Sequence, residues 1–166
     1  MKLTISVSNT HDERTERAKQ MGFDTDTVWY HGSDDEILRF DYSKLKNEKF
    51  GHFFTDDESF AKLAFGDKTN PSYLAVSNSK KITHDQWDSL RDKFQRDPSK
   101  YSAYKKALMS SGFDSLYIKG LSEMLSGKLV TTANIIVMFD TSKIRSVYAK
   151  FDKAKQDSNI VLSKSS

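Results

Sequence analysis

The chain has 166 residues, 37% hydrophobic, 12% aromatic and 30% charged, which suits one domain around a single core and is too aromatic for a disordered chain. It has no cysteine, which excludes a disulfide framework and a thiolate metal site, and its 26 basic and 23 acidic residues are interspersed to a net +3, too mild to indicate a nucleic-acid surface. No run approaches the ~18 apolar residues of a membrane span, and acidic Asp12 and Glu13 follow no apolar leader, so the expected location is the cytoplasm.

Residues 1–9 contain one short apolar alternation (Leu3, Ile5, Val7), compatible with an edge strand or a tail. Residues 11–21 predict a solvated surface helix: Thr10 and Glu13 stand at capping-box spacing, Gly22 is a natural stop, and only Ala18 and Met21 are apolar. A strand follows at residues 28–31. Residues 34–49 read as a loop with one helical turn, and residues 51–55 as a second strand. Asp56 is the expected N-cap of a helix carrying Phe60, Ala61, Leu63 and Ala64, stopped by Gly66. Residues 71–77 alternate as a strand that turns at Asn78 and Ser79. Thr83 and Gln86 form a second capping box ahead of a helix through Phe94, and Asp97-Pro98 opens a further helix closed by Gly112. Residues 113–118 predict a strand, 119–132 a long connection without a period, and 135–139 the most apolar strand of the chain. A helical turn over 140–144 and a last strand over 145–149 precede a polar tail in which only Ile160, Val161 and Leu162 are apolar. The sum is an α+β count of about six strands and four helices with no internal repeat. The His31 and Ile135 strands, the two most apolar, are expected to pair near the sheet centre.

Two stretches stand out chemically. Residues 28–33 read Val-Trp-Tyr-His-Gly-Ser, so a strand runs into a side chain with two ring nitrogens beside a backbone that has no Cβ. Such a corner admits a flat polar ligand close to the main chain, while His31 offers one donor and one acceptor to a hydroxyl. Residues 51–56, Gly-His-Phe-Phe-Thr-Asp, place Phe53 and Phe54 on opposite faces of a strand, one for the core and one able to stack on a ring. Taken singly, either stretch is equally a turn with a satisfied histidine or a pair of core aromatics.

Five blocks in this order resemble the ADP-ribosyltransferase fold, in the phage and mobile-element form found within long polyvalent proteins. They are residues 21–33 (Met-Gly-Phe-Asp-Thr-Asp-Thr-Val-Trp-Tyr-His-Gly-Ser), 51–57, 73–78, 112–118 and 137–146, with Phe151-Asp152 after them. The resemblance spans residues 17–162 and implies an ADP-ribosyltransferase-like split β core with flanking helices. It divides the chain into a surface helix and lead-in at 1–26, the domain proper at 27–162 and a tail at 163–166. It also implies NAD+ as the substrate, with no metal. His31 is similar to the family histidine that bonds a ribose hydroxyl, Gly32 to the residue whose backbone holds the carboxamide, with Ser33 beside it. Phe53 falls where a tyrosine stacks on nicotinamide, and Phe65 is next to Ala64, the position that supplies a second aromatic wall.

The chain departs from the family most consequentially where Ile135 stands in place of the glutamate expected to steady the developing sugar cation. Glu123 is the nearest upstream acid, in the segment that in this fold lies over the cleft, and without the resemblance it is a solvated loop charge. The function implied is mono-ADP-ribosyl transfer from NAD+ to a host macromolecule, a protein being the expected target. The alternative is an inactive module that keeps the pocket and binds NAD+, ADP-ribose or a partner protein. A phosphotransferase of the same fold acting on RNA fits the mild charge least well.

Overall fold

A computed structural model describes residues 10–33, 50–64, 66, 68–125 and 128–149. Among these, twelve elements follow in order: α1 (His11–Gln20), β1 (Asp24–Ser33), β2 (His52–Thr55), α2 (Glu58–Ala64), β3 (Lys68–Leu74), β4 (Ser79–Thr83), α3 (His84–Arg96), α4 (Ser99–Ser110), β5 (Ser115–Leu125), β6 (Lys128–Met138), a 3-10 turn (Thr141–Lys143) and β7 (Ile144–Ser146). The strands form one sheet in the order β4-β5-β6-β2-β1-β3-β7, antiparallel except for the β4–β5 pair.

The sheet is nearly parted at its centre. β2 is paired to β6 over four residues, and β1 to β3 over its last five, yet among the described residues β1 and β2 share only the Tyr30–Thr55 pair. The expected pairing of the His31 strand with the Ile135 strand is therefore corrected, because β2 lies between β1 and β6. Apolar character places both strands inside the sheet but cannot specify which neighbour each takes; that choice belongs to the ladder register.

Alternation along β6 divides its side chains between two cores. Ile135 and Val137 face a cluster with Leu116 and Ile118 of β5, Phe60 of α2, and the α3 and α4 side chains Trp87, Phe94, Tyr101 and Leu108. Ile136 and Met138 face the other way, with Phe54, Leu74 and Ile144. Phe50 centres the first cluster: it is fully buried, and its ring lies 5.4–6.2 Å from those of Phe53, Trp87, Phe94, Tyr101, Tyr104 and Phe139. Gly51 follows because a Cβ there would come within 2.7 Å of the Met138 carbonyl oxygen and of Val137 Cγ1. α1 packs through Ala18 against Phe23, Tyr73 and Val147, on the face of β3 opposite Leu74.

The helix starts are mostly those expected. Thr10 accepts from the Glu13 backbone, and Thr83 with Gln86 completes a reciprocal capping box. At α2 the expected cap is corrected by one residue: the Asp57 carboxylate, not that of Asp56, accepts from the Phe60 N–H at 3.1 Å. Thr55 makes the difference, since its buried hydroxyl accepts from the Asp57 N–H and turns the chain one residue later. The strand β4 was not foreseen, because Ser-Lys-Lys-Ile-Thr has a single buried residue, Ile82, and owes its place to parallel pairing with β5. The unperiodic connection over 119–132 is also corrected: β5 and β6 run on as a hairpin, with a register shift between Ile118 and Leu121.

Candidate active site

The site lies where β1 and β2 separate. Just past their single pair, the His31 ring takes over the bridging: Nδ1 donates to the Phe53 carbonyl oxygen at 2.8 Å, and the Asn70 side-chain amide donates to the His31 carbonyl at 3.2 Å. A carbonyl can only accept, so Nδ1 carries the proton and a neutral ring has Nε2 as its acceptor nitrogen. Burial, the larger effect, lowers the His31 pKa from the ordinary histidine value and favours the neutral ring, against the bond to the Phe53 carbonyl, which raises it. The ring is held among aromatics, 5.4 Å from Phe54 and edge-on to His52 at 5.9 Å. Gly32 is buried next to it, and Ser33 ends β1 in register with Lys68.

Phe53 projects to the opposite side of β2 from Phe54. Its partly buried ring contacts Phe50 and Trp87, with centroids at 6.2 and 5.9 Å, so one side is engaged by the aromatic core. Trp29 and His31 occupy the same face of β1, Trp29 packing against Phe54 and its neighbours. Ile135 is fully buried in the helix-side core, opposite Thr55. Glu123 lies in β5 in register with Thr131, four residues before Ile135 on β6, which is roughly 13 Å along a strand. Phe65 lies outside the described residues.

An open cleft of about 530 Å³ adjoins the strand junction, lined by Tyr30 of β1, by Asp56, Asp57 and Glu58, and by Thr132, Ala133 and Asn134 of β6. Each acid in this corner is differently engaged. Asp57 caps α2, and Glu58 accepts from the Thr69 hydroxyl at 3.0 Å. Asp56 is gripped by Asn134, whose backbone N–H and side-chain amide each donate to one of its carboxylate oxygens at 3.3 Å. Asn134 is itself fixed, since its Oδ1 accepts from the Gly120 N–H at 3.1 Å. Gly120 sits in the register shift of β5 with φ of +70°, a conformation that favours glycine. The charge of Asp56 reaches Tyr117, whose hydroxyl is pushed to a higher pKa first by burial and then by that carboxylate.

Tyr30, Asp56 and Asn134 were missed by sequence reasoning. Three acids in a row at a helix start are ordinary, and only the register that sets Thr55 against Ile135 places Asp56 opposite Asn134. Among the described residues no group of three or more His, Asp or Glu converges as a metal would need, and no helix is long and apolar enough to cross a membrane.

A mixed sheet nearly parted between two central strands, flanked by helices, has the architecture of an ADP-ribosyltransferase domain. The family described as ADP-Ribosyltransferase in polyvalent proteins matches residues 17–153, and the chain belongs to that family. The domains of this family support ADP-ribosyltransferase activity with NAD+ as substrate. A comparison with curated proteins finds no match.

Proposed function

We propose that this protein is a phage-type mono-ADP-ribosyltransferase that moves ADP-ribose from NAD+ to a host macromolecule in the cytoplasm, with a protein as the target. The observation that carries the reading is the break in the β1–β2 ladder immediately before His31 and Gly32. In this reading a planar carboxamide would bond main-chain groups at Gly32 in place of the backbone pairing that ends there, as a neighbouring strand would. His31, its Nδ1–H bound to Phe53, is in the same reading the residue that meets a ribose hydroxyl. Phe53 supplies an apolar shelf for the nicotinamide ring, with Ser33 and Phe65 as further walls.

Substrate binding of this kind orients the nicotinamide–ribose bond and leaves the ring as a good leaving group. A second reading, a module that binds NAD+ or ADP-ribose without turnover, is favoured by one observation: fully buried Ile135 occupies the position of the expected glutamate. Incubation with host lysate and labelled NAD+ separates the two. Transfer of label to protein by the wild type, lost in His31→Ala, is the expected result. Binding of NAD+ without nicotinamide release or labelling would select the module.

A further inference from the structure

We propose that Asp56 is the carboxylate that serves the reacting ribose, in the role that Ile135 cannot fill. The inference rests on the transferase reading and assigns its missing acid. When the nicotinamide–ribose bond breaks, both electrons leave on the ring nitrogen and positive charge develops on the sugar, which an anion held in place beforehand stabilises. Ile135 contributes none, and it is buried in the apolar core. Asp56 follows Thr55, which pairs with Ile135, and it accepts from both nitrogens of Asn134, the neighbour of Ile135.

Three further features favour Asp56 over the other acids. Asp57 is half-buried and occupied in capping α2, and Glu58 is tied to Thr69 of β3, whereas the exposed Asp56 is tied to β6 beside Ile135. Glu123 belongs to the hairpin arm, four residues farther along the ladder. The Gly120–Asn134–Asp56 chain of hydrogen bonds positions the carboxylate before substrate arrives, so little reorganisation is needed during reaction. The charge of the cleft also sets the direction of NAD+: three carboxylates attract the cationic nicotinamide ribosyl end and repel the diphosphate.

In the transfer step the acceptor's lone pair forms the new bond to the anomeric carbon as neutral nicotinamide departs, and the acceptor's proton passes to the Asp56 carboxylate. The test measures nicotinamide release and NAD+ binding by the purified full chain, as wild type and as Asp56→Asn, Asp56→Glu and Glu123→Gln. Asp56→Asn keeps an oxygen for one of the two Asn134 donors at an exposed position, so thermal melting should change little while kcat falls about 10²- to 10³-fold. Its KM for NAD+ should stay within about twofold, the pattern of a group used mainly in the transition state. Asp56→Glu should recover part of the rate, and Glu123→Gln should match the wild type. An active wild type with an equally active Asp56→Asn overturns the role of Asp56 and leaves the transferase reading standing. A loss matched by Asp56→Glu and accompanied by a lowered melting temperature makes Asp56 structural. No release from the wild type overturns both.

Discussion

His31 holds the two halves of the sheet together at the place where backbone pairing fails. One ring nitrogen replaces a ladder bond to the Phe53 carbonyl, while burial of the ring beside Phe54 and His52 disfavours its charged form. A pH dependence follows from its lowered pKa. The unfolded chain takes up a proton on His31 at about pH 6.5, while the folded chain resists it to lower pH. Folding stability from His31 is therefore present above about pH 6.5 and is lost as the pH falls from there toward the lowered folded value. Urea denaturation at stepped pH should show the gap between wild type and His31→Phe narrowing on acidification. A gap independent of pH between 5 and 7.5 would mean that His31 is not held neutral by the fold.

The β2 strand is only four residues long and carries much of the site: it presents Phe53, accepts from His31 and delivers Asp56 to Asn134. Its register against β6 depends on the close approach at Gly51, where a methyl group would meet backbone and side-chain atoms at 2.7 Å. Gly51→Ala should cost about 1–3 kcal/mol, the range for overpacking a filled core. Thermal melting gives the cost, and nicotinamide release should fall with it because Phe53 and Asp56 move with the strand. A variant as stable as the wild type would show that β2 shifts freely against β6. The neighbouring β5–β6 hairpin explains why residues 119–132 looked structureless in sequence. The register shift around Gly120 breaks its alternation, and the polar Thr131, Thr132 and Asn134 carry no apolar period.

At the scale of the whole molecule, the sheet has an asymmetric order of stability. β6 is paired on both sides and buries Ile135, Ile136, Val137 and Met138 between two cores, whereas β4 and β7 stand at the edges with five and three residues. Hydrogen exchange should find the amides of 135–138 slowest, opening only with global unfolding, and those of β4 faster. The amides of Gly32 and Ser33, past the last β1–β2 pair, should gain protection when NAD+ is added, with β4 unchanged. Equal protection at both edges and the centre would contradict a sheet joined at a single pair.

Much of the architecture was legible because it is local. Capping boxes at Thr10 and Thr83, the glycine after α1, the apolar run at 135–139 and the His31–Gly32 strand end each declare themselves within a few residues, and the blocks in order were enough to indicate the split α+β core. What the tertiary structure decided is which distant groups meet. A carboxylate at position 56 reads the same in sequence whether it caps a helix or faces a cleft. Its placement was decided by the Thr55 hydroxyl, which moved the cap to Asp57, and by the β2–β6 register, which set Asp56 against Asn134. Hydrogen bonds between strands are specified by backbone geometry common to every residue, so side-chain pattern alone assigns a strand to the sheet and a face to the core but leaves its neighbour open.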